Sequence, residues 1–341
     1  MTATGRATSG MAADMAEQPA VLSLLLARRD ELIRAFRALA PEPFRGVVLV
    51  ARGSSENAAL FGRILLEAVT RRPASLAPPS LARLYHTRTA VEGYLAIGLS
   101  QSGRTHDVVS TLAALKRGGA TTLALTADLL APIVDVADHA VDLRTGPETT
   151  VPATKTFTAE LAVLAMLAEA LGDVPAPTLQ WVRMVEAVAE ELNDGNPVLR
   201  AVERLAGVTH LSVIGSGMML GIAKEAALKI TEASLIAASG WSASSFRHGP
   251  MALAGTDHPL IAIVGPGHAG DETRRTVSAL ADVPAIIIAG TGQRDISLPS
   301  GLPEPLTAIP AAVRAQQLAL ALALRRGVDP DRPPRLKKVT V

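Results

Sequence analysis

The stretch "GLSQSGRTHD", Gly98 to Asp107, sets Ser100, Gln101, Ser102 and Thr105 directly after the apolar run "GYLAIGL". An earlier turn, "RGSSEN", places Gly53, Ser54 and Ser55 in the same relation to "GVVLV". Short donors at the start of a helix, beside its unpaired N–H groups and the positive end of its dipole, suit a phosphate without needing a lysine. An N-cap or an ST-turn would need only one hydroxyl in each loop, so two donor-rich turns in succession favour the phosphate.

A second set lies on "GIAKEAALKITEAS", where Glu225, Lys229 and Glu232 follow one another at helical spacing and share one face. Such a set is either a solvated ladder of ion pairs or two acids around a lysine, holding one carboxylate ready to move a proton between adjacent carbons. In "SFRHGPMAL", His248 precedes Gly249 and Pro250 in a turn, where an imidazole can serve as acid or base near neutral pH. His106, beside the first motif, is expected to cap a helix or face solvent. No cluster has metal-ligand spacing, so no metal is expected. "GSGMMLG" is one residue too long for the dinucleotide fingerprint and lacks its acidic partner, and no Walker sequence is present. The expectation is chemistry without a cofactor.

These residues need elements to hold them. Short β-rich runs alternate with longer helical patterns, the signal for βαβ units and a parallel sheet. "GVVLV", "GYLAIGL", "TTLALTA" and "HAVDL" read as strands of a first unit, and "THLSVIG", "HPLIAIVG" and "PAIIIAGTG" as strands of a second. Turn glycine Gly53 has a counterpart at Gly215 and strand end Leu99 one at Val264, at nearly the same offset, which predicts a duplicated unit. The turn "VGPGHAG" of the second copy has no hydroxyl, so that half is expected to have taken over another task. "GDVPAPT" reads as the linker, and the boundary is placed near Ala176. The expected division is a disordered tail over 1–10, a first domain over 11–175 with the phosphate motifs, and a second over 176–341 with the catalytic helix.

The totals narrow the class. The chain has 341 residues, enough for two domains with full cores. Its 33 basic and 32 acidic residues build no one-sided positive field, so no nucleic-acid partner is expected. The absence of cysteine rules out a disulfide framework and a thiolate nucleophile, and fits a cytoplasmic setting. "AVLSLLLA" reads as an amphipathic helix rather than a targeting segment. "LAVLAMLAEAL" and "QLALALAL" each fall short of the roughly 20 residues that cross a bilayer, so no membrane span is expected.

Taken together, "MAADMAEQP", "RGSSEN", "SQSGRTHD", "VPATKTF", "KEAALKITEAS", "SFRHGPMAL" and the terminal "LKKVTV" resemble the tandem sugar isomerase (SIS) family, in particular the isomerase half of glucosamine-6-phosphate synthases and the stand-alone second-type glucosamine-6-phosphate deaminases. The likeness runs from about Met11 to Val341. It implies an α/β fold of two tandem SIS domains, each a parallel sheet flanked by helices in three αβα layers. It also implies that Gly53, Ser54, Ser55, Ser100, Gln101, Ser102, Thr105 and Val151 bind an amino-sugar or ketose phosphate. Glu232 would shuttle a proton between C1 and C2, with Glu225 and Lys229 beside it. His248 would assist ring opening from a loop that reaches the neighbouring subunit's site, implying a homodimer. Lys338, or the adjacent Lys337, would match the family's C-terminal lysine, which can form an imine with the open-chain sugar.

Several positions depart from the synthases. This chain holds neither their glutaminase domain nor a cysteine, so it is expected not to draw nitrogen from glutamine by that route. Arg104 stands where synthases usually carry glutamate, which looks more like the stand-alone deaminases, and Pro152 and Ala153 replace small residues that include a serine. The reaction this implies is glucosamine 6-phosphate to fructose 6-phosphate and ammonia. A related sugar-phosphate isomerase, a galactosamine-6-phosphate deaminase, a fructosamine-phosphate deglycase and a non-catalytic sensor are the alternatives.

Overall fold

In the computed structural model, which describes residues 9–85, 87, 89–172 and 176–338, the chain makes two parallel sheets of five strands each. Three helices come first: α1 (Gly10–Ala16), α2 (Gln18–Ala27) and α3 (Arg29–Leu39). Ser9 caps α1 by accepting the Ala12 N–H, so Ser9 and Gly10 belong to a helix start and not to the tail expected there. Residues 1–8 of that tail lie outside the described residues.

The first sheet holds β1 (Gly46–Val50), β2 (Ala74–Leu76), β3 (Tyr94–Leu99), β4 (Thr121–Thr126) and β5 (His139–Asp142), in the order β2-β1-β3-β4-β5. Its helices are α4 (Ser54–Thr70), α5 (Pro79–Leu84), α6 (His106–Arg117), α7 (Pro132–Val136) and α8 (Lys155–Gly172). β2 went unanticipated because three residues are too few to show a period, so "HAVDL" is the fifth strand rather than the fourth. The second half begins with α9 (Thr178–Asn193) and α10 (Asn196–Arg204). It continues with β6 (His210–Ile214), α11 (Met219–Ser234), β7 (Ala237–Trp241) and α12 (Ala243–Arg247). Then follow β8 (Leu260–Val264), α13 (Gly267–Ser278), β9 (Ala285–Ala289), β10 (Ile296–Ser297) and α14 (Glu304–Arg326). The second sheet runs β10-β9-β8-β6-β7, which is the order of the first when β6 to β10 are matched to β1 to β5. The duplication read from two residue pairs is thus carried by the topology.

Strands covered on both faces are apolar throughout, and alternate residues go to opposite layers. Val47 and Leu49 of β1 join the large central core, while Val48 and Val50 pack with Val108 and Leu112 of α6. In the second half Leu211 and Val213 face the same central core, and Ile214 packs with Phe246 of α12. The central core contains residues of α4, α8, α11 and α14, so one continuous apolar body joins the halves. "LTAIPAAV" and "QLALALAL" are joined across Arg314 into the single helix α14, which by length and composition could cross a bilayer. In the fold, 83% of its apolar stretch is buried inside the protein.

Two close approaches fix how the halves meet and where the tail lies. At Gly221 a Cβ would lie 2.7 Å from the Asn57 carbonyl oxygen and 3.0 Å from Phe61 Cβ, so only glycine lets α11 meet α4 at this distance. The Asp331 carboxylate accepts the N–H groups of Gly10 and Met11 at 2.6 and 2.8 Å, favourable at a helix start, and ties the C-terminal tail to α1. Gly221→Val is expected to destabilise the protein by about 1–3 kcal/mol, the usual cost of overpacking, read as a lowered urea midpoint with an unchanged slope.

Candidate active site

β1 and β3 are paired neighbours, so the turns after them open side by side at the carboxyl edge of the sheet. Gly53, the residue before α4, has φ +60°, a left-handed conformation that favours glycine, and it offers no side chain to cap the helix. Thr105 holds the N-cap position of α6, yet its hydroxyl makes no cap bond; the Ser100 hydroxyl reaches it at 3.4 Å. Ser102 alone closes a local turn, accepting the Arg104 N–H at 3.2 Å. Simple capping therefore does not account for the hydroxyls of Ser55, Ser100 and Thr105. His106 is exposed, and Arg104 pairs with Asp128 at 2.8 Å.

These turns line a cleft of about 220 Å³. Gly53, Ser54 and Ser55 form one wall, and Ser100, Gln101, Ser102 and Thr105 another. Val151 and Ala153 come from the loop before α8, Glu232 from α11, and Leu336, Lys337 and Lys338 from the C-terminal tail. A larger cavity of about 410 Å³, bordered by Leu76, Leu81, Val91 and Leu115, has no charged side chain among its described lining residues.

Behind Glu232 the helix runs into the protein, and the solvated-ladder alternative fails there. Glu225 and Lys229 are each 1% exposed. The Lys229 ammonium forms a short contact with the Glu232 carboxylate and lies 3.6 Å from Glu225, which also accepts Asn57 Nδ2 at 2.9 Å. Burial pushes the Glu225 carboxyl up to about 7 against the opposing pull of Lys229 and Asn57. Burial also opposes the charge on Lys229, but Glu225 and Glu232 outweigh it and raise its pKa.

Two carboxylates of this region were not singled out from the sequence. Glu148 is buried, and it accepts the Thr154 N–H at 2.7 Å and Lys338 Nζ at 3.3 Å. Burial works against its ionisation, but Lys338 and the Thr154 and Thr156 donors hold its carboxyl below the ordinary range. Glu160 is fully buried on α8 with Oε1 at hydrogen-bond distance, 2.7 Å, from the Ser55 hydroxyl, while its other oxygen has no hydrogen-bond partner. A lone acid on the apolar face shared with Phe157, Leu161 and Leu164 was the available signal. Of the two tail lysines, Lys338 is the half-buried one with the buried partner, and Lys337 is exposed. His248 follows α12, is exposed, and does not line the cleft.

The second half has a counterpart to the donor-rich turns, and it is filled. Glu304, the first residue of α14, accepts the Met218 N–H at 3.1 Å just before α11. A Cβ on Gly217 would come 2.8 Å from the same carboxylate oxygen. A carboxylate of the chain itself thus occupies the helix N-terminus that in the first half faces the cleft.

Residues 45–170 and 204–299 match the SIS domain model, and the chain belongs to that family. It is 30% identical, over 97% of its length, to the glutamine–fructose-6-phosphate aminotransferase (isomerizing) of Thermococcus kodakarensis, and spans 58% of that protein. Among solved structures, a Silicibacter pomeroyi protein assigned as a phosphosugar isomerase superposes with a TM-score of 0.86 at 26% identity, covering 95% of this chain and 100% of its own. A glucosamine-6-phosphate deaminase of Thermotoga maritima gives a TM-score of 0.78 at 23% identity, covering 97% of this chain and 99% of its own, a likeness of fold.

Removing the charge between the acids should be costly. Lys229→Met is expected to destabilise the fold by about 3–5 kcal/mol, because it leaves the buried Glu225 carboxyl and the Glu232 carboxylate at the cleft wall without their cation; chemical denaturation at pH 7 reads it. The raised carboxyls also set a pH dependence. Glu160, pushed up to about 8, and Glu225, at about 7, keep their protons in the folded state above the ordinary 4.5. The folded state then binds more protons than the unfolded chain, so their contribution to stability falls as pH rises from about 4.5 to about 8. In denaturation at pH 5 and pH 8, Glu160→Gln is expected to lose less stability between the two than the wild type.

Proposed function

We propose that the protein is a phosphosugar isomerase acting on amino sugars, converting glucosamine 6-phosphate and water to fructose 6-phosphate and ammonia. The observation that carries this reading is the sharing of one cleft by the hydroxyl turns, the Glu232 carboxylate and the Lys338 amine. The turns would bind the phosphate, and that remote binding energy would fix C1 and C2 against Glu232. After ring opening, Glu232 would take the proton from C2 and return it at C1, leaving an imine at C2 that water hydrolyses to the ketose and ammonia. Buried Lys229 fits a part in this: it holds Glu232 at the cleft wall. Lys338, held by Glu148, would attend the carbonyl carbon.

The name of the Thermotoga relative and the family likeness of Arg104 support deamination over transfer from glutamine. A second reading has its own observation. An opening of about 540 Å³ holds Arg104 and Asp128 and shares Gln101, Ser102 and Lys338 with the cleft, leaving room for a substituent on the sugar nitrogen, as in a fructosamine phosphate. His248 lies away from this chain's own cleft, and we propose that it serves the site of a second copy in a homodimer.

The wild type is expected to release ammonia and fructose 6-phosphate from glucosamine 6-phosphate, with Glu232→Gln slower by roughly 10²–10⁴-fold, the range for a lost general base. Amine release from a fructosamine 6-phosphate with no ammonia from glucosamine 6-phosphate would instead select the second reading. If the dimer shares its sites, mixing inactive Glu232→Gln and His248→Ala subunits should restore about a quarter of wild-type activity, since half the dimers then carry one complete site. No recovery on mixing would place His248 elsewhere.

A further inference from the structure

We propose that Glu160 is a positioning residue that decides whether Ser55 meets the substrate's phosphate as a hydrogen-bond donor, and that tight sugar-phosphate binding requires Glu160 in its neutral form. The inference rests on the phosphate cradle proposed above and deepens it.

The geometry has two states. Ser55 lines the cleft, and its hydroxyl lies 2.7 Å from Glu160 Oε1, in the protein interior behind it. A hydroxyl has one proton to give. If Glu160 is ionised, it can only accept, so the Ser55 proton is spent on it and the cleft sees serine lone pairs, which repel a phosphate oxygen. If Glu160 carries a proton on Oε1, that proton is donated to Ser55 Oγ, and the serine proton is free to turn toward the phosphate. The second oxygen of Glu160 has no hydrogen-bond partner, so Ser55 is the group through which this acid acts on the cleft.

The surroundings favour the neutral form. The charged groups that bear on Glu160 are Glu225 of α11 and Glu148 in the loop before α8, both of its own sign. Among the cations on and around α8, Lys155 is engaged by Asp14 and Glu17, Arg29 of α3 by Glu169, Lys229 of α11 by Glu225 and Glu232, and Arg314 of α14 by Glu191, while Arg63 of α4 makes no hydrogen bond to Glu160. Burial, with these two acids adding to it and Ser55 opposing, pushes Glu160 up to about 8. With Glu160 neutral the serine is left to face the cleft as a donor. Raising the pH through that value removes the donor and adds a negative charge behind it.

The test uses glucitol 6-phosphate, which keeps the phosphate and lacks both carbonyl and amine, so that binding is measured without turnover. Calorimetric titration at pH 7 and pH 9 would compare the wild type with Glu160→Gln and Ser55→Ala, thermal melting confirming that each is folded. The wild type should lose about tenfold or more in affinity between the two pH values, the scale of one hydrogen bond to a charged group. Glu160→Gln should bind tightly at both, because its amide donates to Ser55 whatever the pH, and Ser55→Ala should bind weakly at both. A wild type that binds equally at both pH values, or a Glu160→Gln or Ser55→Ala variant that loses affinity as the wild type does, would overturn the inference while leaving the phosphate cradle standing. No binding to the wild type at pH 7 would overturn the cradle, and this inference with it.

Discussion

A lysine ammonium 1% exposed to solvent cannot be left unpaired, and the way Lys229 is paired organises this molecule. Glu232 on one side carries its charge to the cleft, and Glu225 on the other carries it inward to Asn57 of α4. Asn57 belongs to the first half of the chain and the lysine to the second. The chain of contacts therefore crosses the seam, and it can form only where Gly221 lets the two helices approach. The same helix α4 begins with Ser54 and Ser55, so whatever fixes α4 against α11 also fixes the donor turn relative to Glu232.

Duplication supplied two equal frames, and the two have diverged at one place. Both sheets have the same strand order, and both put a turn and a helix N-terminus at the carboxyl edge. In the first half that edge opens to the cleft with five hydroxyl groups, those of Ser54, Ser55, Ser100, Ser102 and Thr105. In the second, Glu304 closes the helix start from within, satisfying the Met218 N–H that a bound anion would otherwise meet. The second half then gives α11 and the tail to the shared cleft. Division of this kind needs the tail held in place, which Asp331 does at α1 and Glu148 does at Lys338.

Much of this was legible in the sequence because it rests on local pattern. Seven of the ten strands, the hydroxyl turns and the helix bearing Glu225, Lys229 and Glu232 are each written in neighbouring residues, and the repeat in two pairs of residues at a common offset. The spacing of Glu225, Lys229 and Glu232 left burial open, since a face of alternating charge looks the same whether water or another helix covers it; packing against α4 and α14 decided it. β2 and β10 were too short to show a period, β7 is built mostly of small residues, and α14 was masked by Arg314, which interrupts its apolar run while bonding to carbonyls of α9 and its C-terminal edge. Glu148, Glu160, Asn57 and Asp331 act through partners 6 to more than 300 positions away, and no local signal marks a partner at such a distance.

The central claim is that one half of the chain holds the phosphate while the other brings the base to C1 and C2. A crystal structure of the protein with glucitol 6-phosphate tests it most directly. The phosphate is expected on the turns of Ser55 and Ser100 to Thr105, with C1 and C2 within hydrogen-bond reach of Glu232 and beside Lys338. A phosphate bound elsewhere, or a sugar chain directed away from α11, would contradict it.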